Sequence, residues 1–396
     1  MGQPQSQALQ PASQNIAKRA TTAFRAFFIS FPCFVEDKEK LAMSARPRIL
    51  VAPLDWGLGH ATRCVPVIRE LQRQGAEPVL ATAGRAAAYL QAEFPGLELI
   101  EFPAYDIRYP TGSMYWNIGI QSRKLLRAVK QEHRQLQSLI RRLGIKAVIS
   151  DNRFGCFSQQ APCVFVTHQI NIPLPLGPAQ WAANHANHFF IRKFRACWIP
   201  DHKPEGLSGA LSRPFPGLRY HYLGILSRFS PLQLPWKYDV LALLSGPEPQ
   251  RSRLEHALTT QLQAMDLQVL LVQGKTESYQ EFDAAPNIRV VSFLGTAGLH
   301  GALASSEFVI CRSGYSTLMD LFAMGKKALL IPTPGQPEQE YLAKNLQVQG
   351  VFPFQTHSTI DLAKGLSAAE EYTGFPKSGR TGEGLEAAIG ALLQWV

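Results

Sequence analysis

RSGYSTLMDLFAMGKKALLIPTPGQPEQEYLAKNL, residues 312–346, decides the fold of the second half of this chain. An apolar strand over residues 308–311 runs into Arg312-Ser313-Gly314, and a helical pattern over 315–324 follows, with Ser313 or Ser316 available as N-cap. Unbonded backbone N–H groups and the positive end of a helix dipole then stand where a phosphate can sit. A second strand, 327–332, leads into TPGQPEQ, whose prolines and glycine exclude regular structure. That loop presents Gln336, Glu338, Gln339 and Glu340, hydrogen-bonding groups suited to a polyhydroxyl ligand, before another helix begins near Tyr341. Strand, phosphate turn, helix and polar loop together predict a site for a nucleotide-sugar diphosphate.

Working outward, the same alternation fills the chain. From Arg48 come the strand ILVAPL, a helix from about Thr62 to Gln74, the strand PVLATA, a helix over 85–93 and the strand LELIEF. A longer loop, a helix over 121–143 and the strands AVISD and CVFVTH follow. The Pro-rich SPLQLPW reads as a linker, after which YDVLALLSG, a helix over 251–265, QVLLVQG and NIRVVSFL restart the pattern. Strands spaced by helices imply parallel sheets with right-handed crossovers. The expectation is an α/β chain with two Rossmann-like domains whose sheets face each other across a cleft, ligands lying at the strands' carboxyl ends. Its parts are an extension (1–42), an acceptor-side domain (43–229), a linker (230–237), a nucleotide-sugar-binding domain (238–355) and C-terminal helices (356–396) without an assigned role. The extension is Gln/Ser/Ala-rich, then basic-apolar, and reads as a mis-started or disordered leader, with Met43 as the natural initiator.

Residues 1–230 carry 28 Lys and Arg against 14 Asp and Glu, and residues 231–396 carry 12 against 16. A basic first half predicts an anionic or lipid-linked acceptor, or peripheral contact with an anionic membrane at its cytoplasmic face, unless those residues merely solvate helices such as 121–143. No nucleic-acid-binding module accompanies the charge. The stretch WAANHANHFFIRKFRACW, residues 181–198, reads either as an interfacial amphipathic helix or as a half-buried helix packed on the first domain. The six cysteines lack CxxC or metal spacing and read as buried thiols. His185 and His188 have no third ligand and there is no D-x-D pair, so neither metal nor cofactor is expected beyond the nucleotide-sugar co-substrate.

The first strand ends in PLDWGLGHATRC, residues 53–64. Gly57 and Gly59 allow close approach to a ligand, and His60 at the mouth of the following helix is a candidate general base, because imidazole titrates near neutrality. The alternative is a histidine that only caps or packs there. Thr62 stands where a dinucleotide fingerprint needs its third glycine, which argues against NAD. Asp151-Asn152-Arg153 and Thr167-His168-Gln169 end two further strands, so Asp151 could orient His60 or act as base itself, with Asn152, Arg153, His168 and Gln169 on the acceptor side. The competing reading is that these polar groups satisfy loop backbone.

The order GLGHATR, CRSGYSTLMDL and IPTPGQPEQEYLAKN over residues 48–350 resembles the GT-B glycosyltransferases, especially glycosyltransferase family 28, whose best-known member adds N-acetylglucosamine from UDP to lipid I. The resemblance implies that Phe293-Leu294 read the nucleobase through their backbone, Ser313-Gly314 behind Arg312 bind the diphosphate, Asp320 holds the ribose, and Glu338, Gln339 and Glu340 hold the sugar. It implies an inverting, metal-independent transfer from a UDP-sugar to an acceptor hydroxyl. Two departures stand out: the Gly-rich loop of the second half is reduced to SGPEPQR, 245–251, and Glu340 replaces an amide, so the sugar need not be N-acetylglucosamine. The chain is still more similar to a bacterial group described only as glycosyltransferase-like, sharing GLGHATRC, SDNRFG, THQ and SGPEPQR. A GT-B-like hydrolase of pseudaminic acid biosynthesis carries a similar G-x-G-H-x-x-R-C string, which leaves sugar-nucleotide hydrolysis, or binding without catalysis, as alternatives.

Overall fold

The computed structural model describes residues 46–105, 121–174, 177–202, 206–276, 278–377 and 381–396. The extension 1–42 and Cys33 lie outside them. The first half builds a seven-stranded sheet from β1 (Arg48–Pro53), β2 (Glu77–Thr82), β3 (Leu99–Glu101), β4 (Ala147–Asp151), β5 (Cys163–Val166), β6 (Ala196–Ile199) and β7 (Tyr220–Tyr222). Its order is β3-β2-β1-β4-β5-β6-β7, and every pairing is parallel. Its helices are α1 (Leu58–Arg73), α2 (Gly84–Glu93), α3 (Ser122–Leu143) and α4 (Gly177–Ile191). Strands β4 and β5 are buried at every residue, which is why they read as continuous apolar runs.

The second half carries six strands: β8 (Tyr238–Leu243), β9 (Val269–Val272), β10 (Glu281–Ala285), β11 (Ile288–Val291), β12 (Ser306–Cys311) and β13 (Lys327–Leu330). They lie in the order β10-β11-β9-β8-β12-β13, parallel except for β10, an antiparallel edge on β11. Around them stand α5 (Gln250–Leu262), α6 (Thr296–Ala304), α7 (Tyr315–Met324), α8 (Pro337–Val348), α9 (Leu362–Ala369) and α10 (Leu385–Leu393). Two Rossmann-like α/β domains, the GT-B arrangement, are therefore present as expected.

One hydrophobic cluster runs from Ile49 and Val65 in the first half through Tyr315, Leu318 and Leu342 in the second to Ile389 and Leu392. Helix α1 packs on α7, and the C-terminal α10 returns to pack on α1. Residues 46–396 consequently form one compact unit.

Three local expectations need correction. Helix α1 begins at Leu58, because Gly57 serves as its N-cap at φ 82°, so His60 sits in the first helical turn. Helix α8 begins at Pro337, where the ring's fixed φ suits the first turn, so Glu338, Gln339 and Glu340 are helical and not part of a loop. The N-cap of α7 is Gly314; neither Ser313 nor Ser316 caps it, because both hydroxyls are used elsewhere.

Candidate active site

Adjacent strands β1, β4 and β5 deliver the polar groups of the first half. Pro53 pairs with Asp151 across β1 and β4, and His168 follows the end of β5 one strand further along. His60 Nδ1 lies 2.7 Å from Asp151 Oδ1. Asp151 is fully buried and also accepts two bonds from Arg63, one of them from Nε at 2.5 Å. Burial alone would raise its pKa, but Arg63 and His60 outweigh burial and hold the carboxyl well below the usual carboxylate range. An ionised oxygen at 2.7 Å requires the imidazole proton on Nδ1, and Arg63 Nη2, 2.9 Å from that nitrogen, gives its own proton to Asp151 Oδ1 instead. The lone pair of His60 is thereby placed on Nε2, the arrangement a general base needs. Burial and the neighbouring Arg63 lower the His60 pKa against the opposing pull of Asp151, so the ring is neutral near pH 7.

Arg63, to which the sequence reading gave no role, is the hub. Its Nη1 lies 3.1 Å from His168 Nδ1 and its Nη2 2.9 Å from His60 Nδ1, and the residue is 2 % exposed. Its signal was the i, i+3 spacing from His60, legible only once the helix is known to start at Leu58. Cys64 Sγ adds a contact to Asp151 at 3.6 Å, and burial together with that carboxylate pushes its thiol up.

Across the cleft, His168 Nε2 meets Glu338 Oε1 at 2.8 Å, and the His168 ring stacks on Tyr315 with centroids 4.0 Å apart. Tyr315 donates to the Pro200 carbonyl at 2.7 Å. Ser316 Oγ donates to the Gly59 carbonyl at 2.9 Å. On a second seam Arg85 reaches the Gly274 carbonyl and Thr276, while Thr296 bonds both Tyr89 and Glu93.

On the donor side, Gly314 has open space where a Cβ would stand, and no side chain caps α7. Arg312 is buried, donating to the carbonyls of Ile331, Pro332 and Gln250; burial lowers its pKa to about 10. It braces the turn beside the uncapped helix. Ser313 Oγ donates to the Gln339 carbonyl, and the Gln339 side chain holds Thr333 N and Gln336. Glu340 accepts from Gly335 N. Of the four polar groups predicted for a sugar, Glu338 alone reaches the first half; Gln336, Gln339 and Glu340 shape their own loop. Phe293 and Leu294 follow β11 half-buried, Phe293 edge-on to Tyr279.

Two expectations meet internal partners. Asp320 accepts from Ser227 Oγ at 2.7 Å and faces Arg228 at 3.7 Å, so ribose would have to displace one of them. Arg153 also meets internal partners: it is fully buried, paired with Glu132 at 2.8 Å, bonded to the carbonyls of Pro53 and Pro103 and 3.4 Å from Asp55, so an acceptor would have to displace one of them. Asn152 takes a left-handed backbone, φ 56°, beside the Asp151 carboxylate, and Gln169 lends its carbonyl to Asn187. The reduced loop 245–251 is braced by Arg251 against Glu248 and the Gln273 carbonyl. Helix α4 leaves Trp181 and Phe189 exposed, and His188 stacks on Phe215. Among the described residues no cluster of metal-ligating side chains exists, no helix is long and apolar enough to cross a membrane, and five cysteines are buried and unpaired.

Residues 251–362 match the glycosyltransferase family 28 C-terminal domain. An uncharacterized glycosyltransferase of Methanosarcina acetivorans is 24 % identical over 79 % of this chain and 86 % of its own length. The UDP-N-acetylglucosamine--N-acetylmuramyl-(pentapeptide) pyrophosphoryl-undecaprenol N-acetylglucosamine transferase of a Methylobacterium species is 24 % identical over 76 % of this chain and 80 % of its own. Among solved structures, the glycotransferase of kitacinnamycin superposes with a TM-score of 0.61 at 14 % identity, covering 89 % of this chain and 99 % of that one. The chain has a GT-B fold and is related to family 28 proteins.

Proposed function

We propose that this chain is a glycosyltransferase that moves a sugar from a nucleoside-diphosphate donor to an acceptor hydroxyl with inversion. The His60–Asp151 pair carries the proposal: a neutral imidazole, oriented by a buried carboxylate, stands in the first turn of α1 across the cleft from the uncapped start of α7. His60 Nε2 takes the acceptor proton, the freed oxygen attacks the anomeric carbon, and the bond to the diphosphate oxygen breaks. The N–H groups of α7 stabilise the charge that develops on the leaving diphosphate. The Methylobacterium relative, a UDP-N-acetylglucosamine transferase, supports a UDP-linked donor.

The test is a thermal-shift titration of the chain with UDP, GDP, dTDP, CMP and their sugar conjugates, where ligand at 100 times its dissociation constant adds about 2.7 kcal/mol. Selective stabilisation by one nucleotide, followed by transfer lost in His60→Ala, is the expected result. Sugar released to water without any acceptor would make the chain a hydrolase, and no stabilisation by any nucleotide would remove the donor assignment.

We also propose an anionic or lipid-linked acceptor, supported by the basic excess of the first half and the exposed Trp181 and Phe189 on α4. Co-sedimentation with phosphatidylglycerol vesicles but not phosphatidylcholine vesicles is expected, and equal partition would sink the lipid reading.

A further inference from the structure

His168 and Glu338 belong to different halves, yet their side chains meet at 2.8 Å in the middle of the polar cluster. No base, phosphate or sugar contact is needed to explain this pair. Arg63 can only donate, so the Nδ1 of His168, 3.1 Å from Nη1, must accept. The His168 proton is therefore on Nε2, directed at Glu338. Burial works against the Glu338 charge, but the hydrogen bond from His168 and the charge of Arg63 favour it, keeping an acceptor there. The ring is further fixed by its stack on Tyr315, the first residue of α7. One unbroken chain results: Glu338, His168, Arg63, Asp151, His60. Its first member rides on the donor half and its last is the base.

We infer that His168 is a positioning residue that reports closure of the two halves to the base: docked on Glu338, it holds Arg63, and Arg63 holds the carboxylate that orients His60. With the halves apart, Glu338 leaves, His168 is released, and Arg63 loses the partner that fixes its Nη1. The base is then set only when the donor half is in place. This rests on the proposed role of His60, although the side-chain chain can be tested without turnover.

The first arm is 15N NMR of the histidine-labelled full chain. His168, identified by its loss in His168→Gln, is expected as the neutral Nε2–H tautomer, and the His60 resonances are expected to move in Glu338→Ala, a site that makes no hydrogen bond to His60. A doubly protonated or Nδ1–H His168 at pH 7, or unmoved His60 resonances, overturns the inference. The second arm follows nucleoside-diphosphate release, with acceptor supplied, from the sugar conjugate that the thermal-shift titration selects. His168→Ala is expected to lower turnover about 10²-fold at unchanged donor KM, and His168→Gln, which offers a non-titrating donor and acceptor, to restore most of it. A glutamine variant as slow as the alanine variant would mean proton transfer in place of positioning. Loss in His60→Ala with full turnover in His168→Ala overturns the relay alone, whereas full turnover in His60→Ala overturns the base itself.

Discussion

Ser316 Oγ donates to the Gly59 carbonyl at 2.9 Å, and this bond joins the first turn of α7 to the first turn of α1. The two helix starts that would flank the reacting atoms are thus tied to each other directly. A Cβ on Gly59 would lie 2.8 Å from that hydroxyl, closer than real contacts allow. The glycine leaves that hydroxyl its room, and Gly57 two residues earlier takes a positive φ.

Gly59→Ala should therefore push the halves apart at the catalytic point. Turnover is expected to fall about 10²-fold, the effect of an ångström-scale misplacement, while nucleotide binding to the second half holds. Adding Ser316→Gly removes the clashing hydroxyl and should recover part of the loss. Steady-state kinetics alongside nucleotide titration decide it; affinity lost in parallel with turnover would refute the assignment.

Asp151→Asn should remove catalysis without dismantling the fold of either sheet. The amide no longer fixes the imidazole proton on Nδ1, and general-base contributions of about 10²–10⁴-fold are at stake. Arg63 is left buried with no carboxylate, a change that costs roughly 3–5 kcal/mol. A lowered melting temperature with intact far-UV dichroism and a rate near that of His60→Ala is expected. A variant retaining wild-type turnover would show that Asp151 does not orient the base.

The pH profile follows from the direction of the His60 shift. Its pKa is lowered from 6.5 by burial and Arg63, so the acid limb of kcat/KM is expected below pH 6.5, with His60→Ala lacking it. Stability has the matching sign. The folded chain holds fewer protons on His60 than the unfolded chain, so its contribution is complete above about 6.5 and is lost as pH falls toward the folded value. Asp151 adds a second loss below its ordinary 3.8, because its folded value is depressed. An acid limb above 6.5 in kcat/KM would exclude this environment for the base.

The two-sheet architecture was legible because strands covered on both faces appear as short apolar runs between helices. The edge strand β10 was not, since its residues Glu281–Asp283 are exposed and carry no buried-face pattern. The meeting of His60 with Asp151 was readable from their places, one at the mouth of the helix after β1 and the other at the end of β4. Arg63 was hidden by a two-glycine stretch that looked like loop, and Arg153 looked like a site residue because sequence does not show which end of an arginine is buried. Glu338 was found for one purpose and met His168 in another, a pairing between distant segments that no local pattern encodes.

Arg153 and Glu132 give a control on this distinction. Both side chains are fully buried, and Glu132 also accepts from Tyr105 and Gly155 N. Glu132→Ala should cost about 3–5 kcal/mol by stranding the guanidinium, with no movement of the acid limb of the pH profile. Urea denaturation and the profile together check it, and a shifted limb would place this pair in the active site after all.

The last helix offers a test of how the halves are bound. α10 follows the second domain in sequence, yet it packs on α1, the helix that carries His60, and Arg73 and Gln74 of the first half bond Glu386. Ile389 is fully buried in the cluster that spans both halves. Ile389→Ala should lose about 2–5 kcal/mol, and because the removed contact belongs to the shared core, both sheets should lose stability together. Equilibrium unfolding followed by Trp198 fluorescence for the first sheet and by hydrogen exchange at β8 and β12 for the second should show coincident transitions at a lower midpoint. Two separated transitions, with only the second moved, would mean that α10 stabilises its own domain and that α1 is held in place by α7 alone.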